Sequence, residues 1–156
     1  MTDTRLVAMP AERLPAWLDA TMAEYVTSRM QAGETREQAE ANKQQSLERW
    51  FPDGEPADGH LVWDVVDQDD GVVGYLWIGP FAPDSTDWWV FDVEMDQAHR
   101  RRGHARRALE LAHRAAAEHG ATSIGLNVFG YNTGAQELYA ALGYQLTSAQ
   151  MRKPLA

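Results

Sequence analysis

The sequence contains no cysteine, which excludes disulfide bonds, thiolate metal ligands and a cysteine acyl-enzyme. It also lacks a Gly-x-Ser-x-Gly motif, so a nucleophilic serine of the hydrolase type is not expected. No stretch approaches the roughly 20 apolar residues that a membrane-spanning helix needs. The first residues, Met1–Thr4, show no basic region followed by an apolar run, so no signal peptide is expected. We therefore expect a cytoplasmic protein with no membrane partner.

Positive charge is also scarce. The chain has 14 lysine and arginine residues against 23 aspartate and glutamate residues, which gives a net charge of −9 at pH 7. This balance argues against a nucleic-acid partner, because nucleic acids attract basic surfaces. Many of the basic residues crowd into one segment, which contains Arg100, Arg101, Arg102, Arg106 and Arg107. A compact positive patch in an acidic chain predicts a compact anionic ligand.

The composition is that of a globular domain. Hydrophobic residues make up 44% and charged residues 24% of 156 residues, enough for one hydrophobic core. Since neither a repeat nor a break in composition divides the chain, we predict a single domain over residues 1–156. Hydrophobic periodicity and turn residues predict the order β-α-α-β-β-β-α-β-α-β. That order is typical of an α+β (α/β layered) fold with a mixed sheet.

The predicted elements have recognisable boundaries. Thr35 with Gln38 forms a capping-box pattern at the start of the second helix, and Gln68–Gly71 is a hairpin signal. The predicted strands are Arg5–Met9, His60–Asp67, Val72–Gly79, Trp88–Met95, Thr122–Phe129 and Tyr144–Leu155. The predicted helices are Pro10–Met30, Thr35 to about Trp50, about His104–His119, and Asn132 or Thr133 to Gly143.

The segment after the fourth predicted strand has the properties of an anion site. The strand Trp88–Met95 leads through Asp96–His99 into Arg100–Ala105, where a glycine and a small residue precede a helix. A glycine lets the backbone approach a phosphate, and the first N–H groups of a helix are unpaired and partly positive. Arginines add charge-assisted hydrogen bonds. From these residues alone, a phosphate site and a solvated basic helix end both remain open.

Two motifs resemble those of a known family. Arg100-x-x-Gly103-x-Ala105 is similar to the pyrophosphate loop of the GNAT superfamily of N-acetyltransferases. The stretch from Asn132 to Tyr144 resembles the family's Asn-x-x-Ala-x-x-Leu-Tyr-x-x-x-Gly-Phe signature, in the expected order and spacing. The chain is thereby identified as a member of an uncharacterised bacterial branch of that superfamily. The resemblance implies a mostly antiparallel mixed sheet with flanking helices and a splayed central strand pair.

The resemblance also implies a binding site for acetyl-CoA. The amides of Arg101 to Ala105 would cradle the pyrophosphate, and the backbone of Val93 and Met95 would hydrogen-bond the pantetheine arm. Asn132 would contact the cofactor or cap the helix beneath it. The cofactor-binding residues implied in this way are Val93, Met95, Arg100, Arg101, Arg102, Gly103, His104, Ala105, Arg106 and Asn132.

The reaction implied is direct attack of an amine on the thioester in a ternary complex, with Tyr139 protonating the departing thiolate. Asp92 and Glu94 alternate on one face of their strand, where they could deprotonate the amine through water or attract a cationic amine. A related branch that acetylates a ribosomal protein places a glutamate base twelve residues before the tyrosine. The matching residue here is Asn127, which cannot accept a proton at neutral pH.

Simpler interpretations stay open beside this one. Tyr139 shares an apolar stripe with Leu138 and Leu142, so it could be a core residue, and Asp92 and Glu94 could be ordinary strand carboxylates. A non-catalytic acyl-CoA-binding sensor of the same fold is the alternative function. The histidines show no metal-binding spacing, so no metal is expected. The acceptor is an amine on a small molecule or a protein, and a homodimer is left open.

Overall fold

One five-stranded sheet, with its strands in chain order, organises the fold. The computed structural model describes residues 3–156. Its strands are β1 (Arg5–Ala8), β2 (Leu61–Val66), β3 (Val72–Pro80), β4 (Asp87–Met95) and β5 (Ser123–Leu126). Strands β1 to β4 pair antiparallel and β5 joins β4 in parallel, so the predicted mixed, mostly antiparallel sheet is confirmed.

Helices cover both faces of the sheet. They are α1 (Leu14–Gln31), α2 (Arg36–Trp50), α3 (His104–Glu118) and α4 (Thr133–Ala141), with short 3₁₀ turns at Pro52–Gly54 and Gln97–His99. Because side chains alternate along β3, Leu76 packs against α3 while Trp77 packs against α1. The α+β prediction is therefore confirmed. Within residues 3–156, no helix combines the length and apolar character that crossing a bilayer requires.

Local signals set where the helices begin. The Thr35 side chain accepts a hydrogen bond from the Gln38 backbone N–H, and the Gln38 side-chain oxygen accepts one from the Thr35 backbone N–H, as predicted for a capping box. The Asn132 side chain accepts a hydrogen bond of 3.2 Å from the backbone N–H of Ala135, so it caps α4. These caps satisfy N–H groups that have no partner within their own helix.

The predicted last strand, Tyr144–Leu155, is wrong. Residues 145–156, called the C-terminal segment below, are exposed, have no regular secondary structure and take part in no described strand pairing. The side chains of Leu146, Met151 and Leu155 are 84%, 97% and 87% exposed. The alternation of apolar residues favours a strand, but local alternation does not decide whether a segment docks on a sheet edge. The segment instead reaches the turn between α1 and α2, where Arg152 lies 3.4 Å from the Gly33 carbonyl.

The strand predicted over Thr122–Phe129 is also shorter than expected. β5 covers Ser123–Leu126, and Asn127 is exposed beyond its end. The reason is the partner strand: β4 keeps its register with β5 from Asp87 to Val90, and the described pairing ends there. Residues after Leu126 therefore have no partner strand in the described sheet.

Candidate functional site

At one edge of the described sheet, the two parallel strands β4 and β5 stop pairing and separate. β4 pairs with β5 from Asp87 to Val90, yet it continues beside β3 as far as Met95. A register shift accompanies the separation: Trp77 faces Asp92 and Ile78 faces Val90, which leaves Phe91 as an extra residue on β4. Such a bulge bends the strand and re-aims its side chains. The splayed strand pair that the sequence predicts is therefore present, and Val93 and Met95 lie on its separated part.

The loop that follows β4 brings backbone N–H groups together at the start of α3. Arg101 and Gly103 both adopt the left-handed backbone conformation, with φ of 63° and 83°. Glycine tolerates this conformation, whereas for arginine it costs about 1 kcal/mol. Successive N–H groups in such a turn form an anion-binding concavity, and the first turn of α3 adds its own unpaired N–H groups. The loop thus has the geometry expected of a phosphate cradle.

The arginines of the loop point in different directions. The Arg100 Nε donates to the Met95 carbonyl at 3.0 Å, and its Nη2 lies 3.3 Å from a carboxylate oxygen of Glu94. Arg106 lies 3.8 Å from Glu110 along α3. Arg101 and Arg102 are exposed at the loop surface. Arg100 therefore fastens the end of β4 to the loop in this structure, a role that the sequence analysis did not predict.

His104 and Ala105 form the first turn of α3, but the His104 ring points inward. It is 5% exposed, and its Nδ1 lies 3.0 Å from the Thr4 hydroxyl. This contact ties the start of α3 to the segment that precedes β1. The predicted part of His104 in cofactor binding is therefore limited to its backbone N–H.

Asp92 and Glu94 come together with a tyrosine on the adjacent strand. The Tyr75 hydroxyl lies 3.0 Å from Asp92 Oδ2 and 3.1 Å from Glu94 Oε2. A hydroxyl has one proton, so it can donate fully to one of the two carboxylates at a time. Sequence reasoning missed Tyr75, although it lies directly opposite Glu94 in the β3–β4 pairing. A correct register for that pair of strands would have found it.

The surroundings of Asp92 tune its acidity. Burial raises the pKa of Asp92 to about 7, the Tyr75 hydrogen bond opposes this, and the negative charges of Glu94 and Glu24 add to it. Burial, and then the charges of Asp92 and Glu94, also raise the pKa of Tyr75 far above its usual range. Tyr75 thus keeps its proton, while Asp92 exchanges one near neutral pH, where a general base is most effective.

Tyr139 approaches from the other side of β4, on α4. Its ring packs edge to face against Tyr144, with the centroids 5.7 Å apart, and it also contacts the core on the α3 side. Burial, followed by the negative charge of Asp92, raises the pKa of Tyr139, so its hydroxyl is protonated at neutral pH. The electrostatic effect of Asp92 shows that the two groups lie near each other. Packing and proton donation are both compatible with this position.

A cavity of about 320 Å³ opens beside Glu94 and Tyr75, between α1 and the end of β4, and Asp92 is not among its lining residues. Its wall includes Trp17, Thr21 and Glu24 from α1, Tyr75 and Glu94 from the sheet, and Arg100 from the loop. A larger cavity of about 740 Å³ lies elsewhere, between the start of α1, β2 and the turn after α2, and Asp92, Glu94 and Tyr139 do not line it. Among residues 3–156, no group of three or more histidine, aspartate or glutamate side chains is placed to hold a metal ion.

Comparison with known proteins agrees with this geometry. The sequence model of the Acetyltransferase (GNAT) family matches residues 15–144. Two uncharacterized N-acetyltransferases of Bacillus subtilis are similar along nearly their whole length. YdgE is 27% identical over 94% of this chain and 95% of its own. YycN is 29% identical over 96% of this chain and 97% of its own.

Solved structures extend the comparison. The crystal structure of YycN, a putative acetyltransferase, has a TM-score of 0.85 at 28% identity and covers 98% of this chain and 99% of its own. An aminoglycoside N-acetyltransferase in complex with CoA has a TM-score of 0.60 at 16% identity, with 99% and 96% covered. This second likeness shows a shared fold.

Proposed function

The chain belongs to the GNAT acetyltransferase family, and from that premise we propose that it moves an acetyl group from acetyl-CoA to an amine by direct attack in a ternary complex. The observation that carries the proposal is the cluster of Asp92, Glu94 and Tyr75 beside the separated part of β4. A carboxylate that can exchange a proton lies on the part of β4 beyond its pairing with β5, and the loop proposed to bind phosphate follows that strand. Acyl transfer between two bound substrates needs such a base close to the donor site.

The donor site in this proposal follows the anion loop and the strand edge. The amides of Arg101 to Ala105 bind the pyrophosphate, supported by the positive φ of Arg101 and Gly103 and by the start of α3. Val93 and Met95 offer backbone groups to the pantetheine arm along the separated edge of β4. The remaining residues of the site are Arg100, Arg102, Arg106 and Asn132.

Two side chains, Asp92 and Tyr139, accept and donate the protons in this mechanism. The amine arrives as an ammonium ion, and the Asp92 carboxylate accepts one proton so that the nitrogen lone pair becomes available. The nitrogen attacks the carbonyl carbon, the new C–N bond forms, and the C–S bond breaks. Tyr139 protonates the departing thiolate. The second proton lost by the amine restores Tyr139, and the proton held by Asp92 leaves to solvent, so one proton is released per acetyl group transferred.

The two carboxylates have different parts in the proposal. Asp92 is the base, because its pKa of about 7 allows it to accept and release a proton near neutral pH. Glu94 lies 3.3 Å from Arg100 and supplies negative charge that attracts a cationic amine. Asn127 is exposed beyond β5 and has no acid–base role.

The alternative function is a non-catalytic acyl-CoA sensor. Two features favour the enzyme: a carboxylate with a pKa near 7 and a protonated phenol on the other side of β4. Neither is needed for binding alone. The test is to measure release of free thiol from acetyl-CoA across polyamines, aminoglycosides, amino acids and peptide N-termini. Amine-dependent release supports the enzyme, whereas tight acetyl-CoA binding without release for any amine would support the sensor.

We also propose a homodimer formed through the C-terminal segment. That segment exposes Leu146, Met151 and Leu155, and β5 is an edge strand with one unpaired side. An exposed edge and an exposed apolar strand-like segment are both liabilities in a monomer. Exchange of the segment between two copies would cover both at once, with the twofold symmetry common among dimers.

A further inference from the structure

The cavity at the end of β4 is built by one face of α1. Trp17, Thr21 and Glu24 are spaced three and four residues apart, so they line up on the side of the helix that faces the end of β4. Trp17 and Thr21 are buried, while Glu24 is exposed. Asp92 does not line the cavity but contacts it through Tyr75, whose hydroxyl lies 3.0 Å from Asp92 Oδ2. A cation that enters the cavity therefore comes close to both Glu24 and the Tyr75–Asp92 pair.

The charges around the cavity are unbalanced. Glu24, Glu94 and Asp96 contribute negative charge to its wall, and Arg100 is the basic residue among them. Arg100 already lies 3.3 Å from Glu94. In the described part of the chain, no basic side chain lies within ion-pair distance of Glu24. The cavity thus keeps a negative charge that a cation could neutralise.

Aromatic groups form the inner wall. Trp17 meets Tyr75 edge to face, with ring centroids 5.5 Å apart, and both line the cavity. Trp17 is 8% exposed, and its indole N–H is buried without an acceptor among the described residues. A buried donor without a partner is costly, and the lone pair of a neutral amine or of an ordered water would satisfy it. Aromatic faces also attract ammonium groups.

These observations identify a class of acceptor. Resting on the proposed acetyl transfer, we propose that the acceptor is a small aliphatic diamine or short polyamine, whose reacting amino group lies at the Tyr75 end of the cavity, next to Asp92, while Glu24 holds the second, cationic amino group. Glu94 adds to the negative field between them. The volume of about 320 Å³ equals roughly ten water molecules, which suits a short diamine and excludes a folded protein segment as the group that enters.

The test compares two acceptors of equal length. 1,4-Diaminobutane and n-butylamine differ by one amino group, so the ratio of their kcat/KM values measures how much the second ammonium group contributes to recognition. We expect the unmodified enzyme to prefer the diamine, and we expect Glu24→Gln to reduce that preference about threefold to fivefold, the upper range for one exposed charge pair. Glu24→Lys should reduce it further. Asp19→Asn, which removes a charge from the exposed side of the same helix, is the control and should keep the preference.

Calorimetric titration of each amine into the protein–CoA complex separates this inference from the proposed reaction. Diamine binding that depends on Glu24 without any thiol release would uphold the inference and overturn the proposed catalysis. Thiol release with equal kcat/KM for both amines, or with the same preference in Glu24→Gln as in Asp19→Asn, would overturn the inference and leave the catalysis standing. The absence of both diamine binding and diamine turnover would also overturn it.

Discussion

In the proposed mechanism, two groups on opposite sides of β4 share the proton transfers. Burial places the pKa of Asp92 near 7, so this carboxylate can accept a proton from an amine under neutral conditions. Burial and the charge of Asp92 raise the pKa of Tyr139, so this phenol keeps the proton that a thiolate requires. At neutral pH, Asp92 can therefore accept a proton while Tyr139 still holds one to donate.

Replacement of Tyr139 tests the acid. Tyr139→Phe keeps the ring and its packing but removes the hydroxyl, so we expect turnover to fall by about 10²–10⁴-fold with acetyl-CoA affinity nearly unchanged. Tyr144→Phe is the matched control, since its hydroxyl lies 2.7 Å from His113 and its ring packs against Tyr139. That variant should lose some stability and keep its turnover. Full activity in Tyr139→Phe would return Tyr139 to a packing role.

We propose that Tyr75 positions Asp92, and its effect should appear in the pH dependence of kcat/KM. Its hydrogen bond lowers the pKa of Asp92, so deletion of the hydroxyl in Tyr75→Phe should raise that pKa further. Because the base acts when it is ionised, the rising limb of kcat/KM should move to higher pH. Tyr25→Phe, whose hydroxyl instead contacts Arg29 and Ser46, should leave the limb in place. If the rising limb of the kcat/KM profile lies at the same pH in Tyr75→Phe and Tyr25→Phe, Tyr75 does not have this role.

At the scale of elements, we propose that β4, the loop after it and α3 together form the donor side of the site. Its parts are adjacent in sequence, and each has a local cause: a bulge at Phe91, left-handed residues at Arg101 and Gly103, and a helix start at His104. The loop requires glycine at position 103 for two reasons, the positive φ and the close approach of a phosphate.

A pair of glycine variants separates these two requirements. Gly103 and Gly120 flank α3 with φ of 83° and 91°, and a Cβ on Gly120 would meet nothing within 4 Å. Gly120→Ala should therefore lower the free energy of unfolding by about 1 kcal/mol from strain alone, and the positive φ at position 103 should cost a similar amount in Gly103→Ala. We expect only Gly103→Ala to weaken acetyl-CoA binding, by about tenfold or more in a calorimetric titration. Equal affinity in both variants would contradict the loop assignment.

The elements that could be predicted from the sequence are those with local causes. The capping box at Thr35, the Asn132 cap and the loop before α3 were all predicted correctly from a few neighbouring residues. Tyr75 and Glu24 were missed because their places depend on the β3–β4 register and on how α1 docks, which are contacts between distant parts of the chain. The predicted last strand failed for the same reason, since pairing needs an edge that local sequence does not specify.

At the scale of the whole molecule, the acidic surface and the C-terminal segment set how the protein meets its partners. A net charge of −9 attracts cations to the protein and repels polyanions. The arginine-rich loop is a local positive patch that can still bind one compact anion. The C-terminal segment exposes large apolar side chains that a single copy leaves uncovered.

The homodimer can be tested by removing the C-terminal segment. We expect the full chain to sediment as a dimer and a chain that ends at Tyr144 to sediment as a monomer with acetyl-CoA binding retained. Leu146→Ser combined with Met151→Ser should weaken association in the same direction, because both side chains are exposed in the single copy. A full-length monomer at micromolar concentration would contradict the exchange of the segment.

The central claim is that Asp92 deprotonates the acceptor amine. The most direct measurement is kcat/KM for amine-dependent thiol release, as a function of pH, in the unmodified enzyme and in Asp92→Asn. Taking the ratio of the two cancels ionisation of the amine itself. We predict a ratio that rises as the pH passes through about 7, where Asp92 ionises, and then levels off at about 10²–10⁴. A ratio near one that does not change with pH would contradict the account.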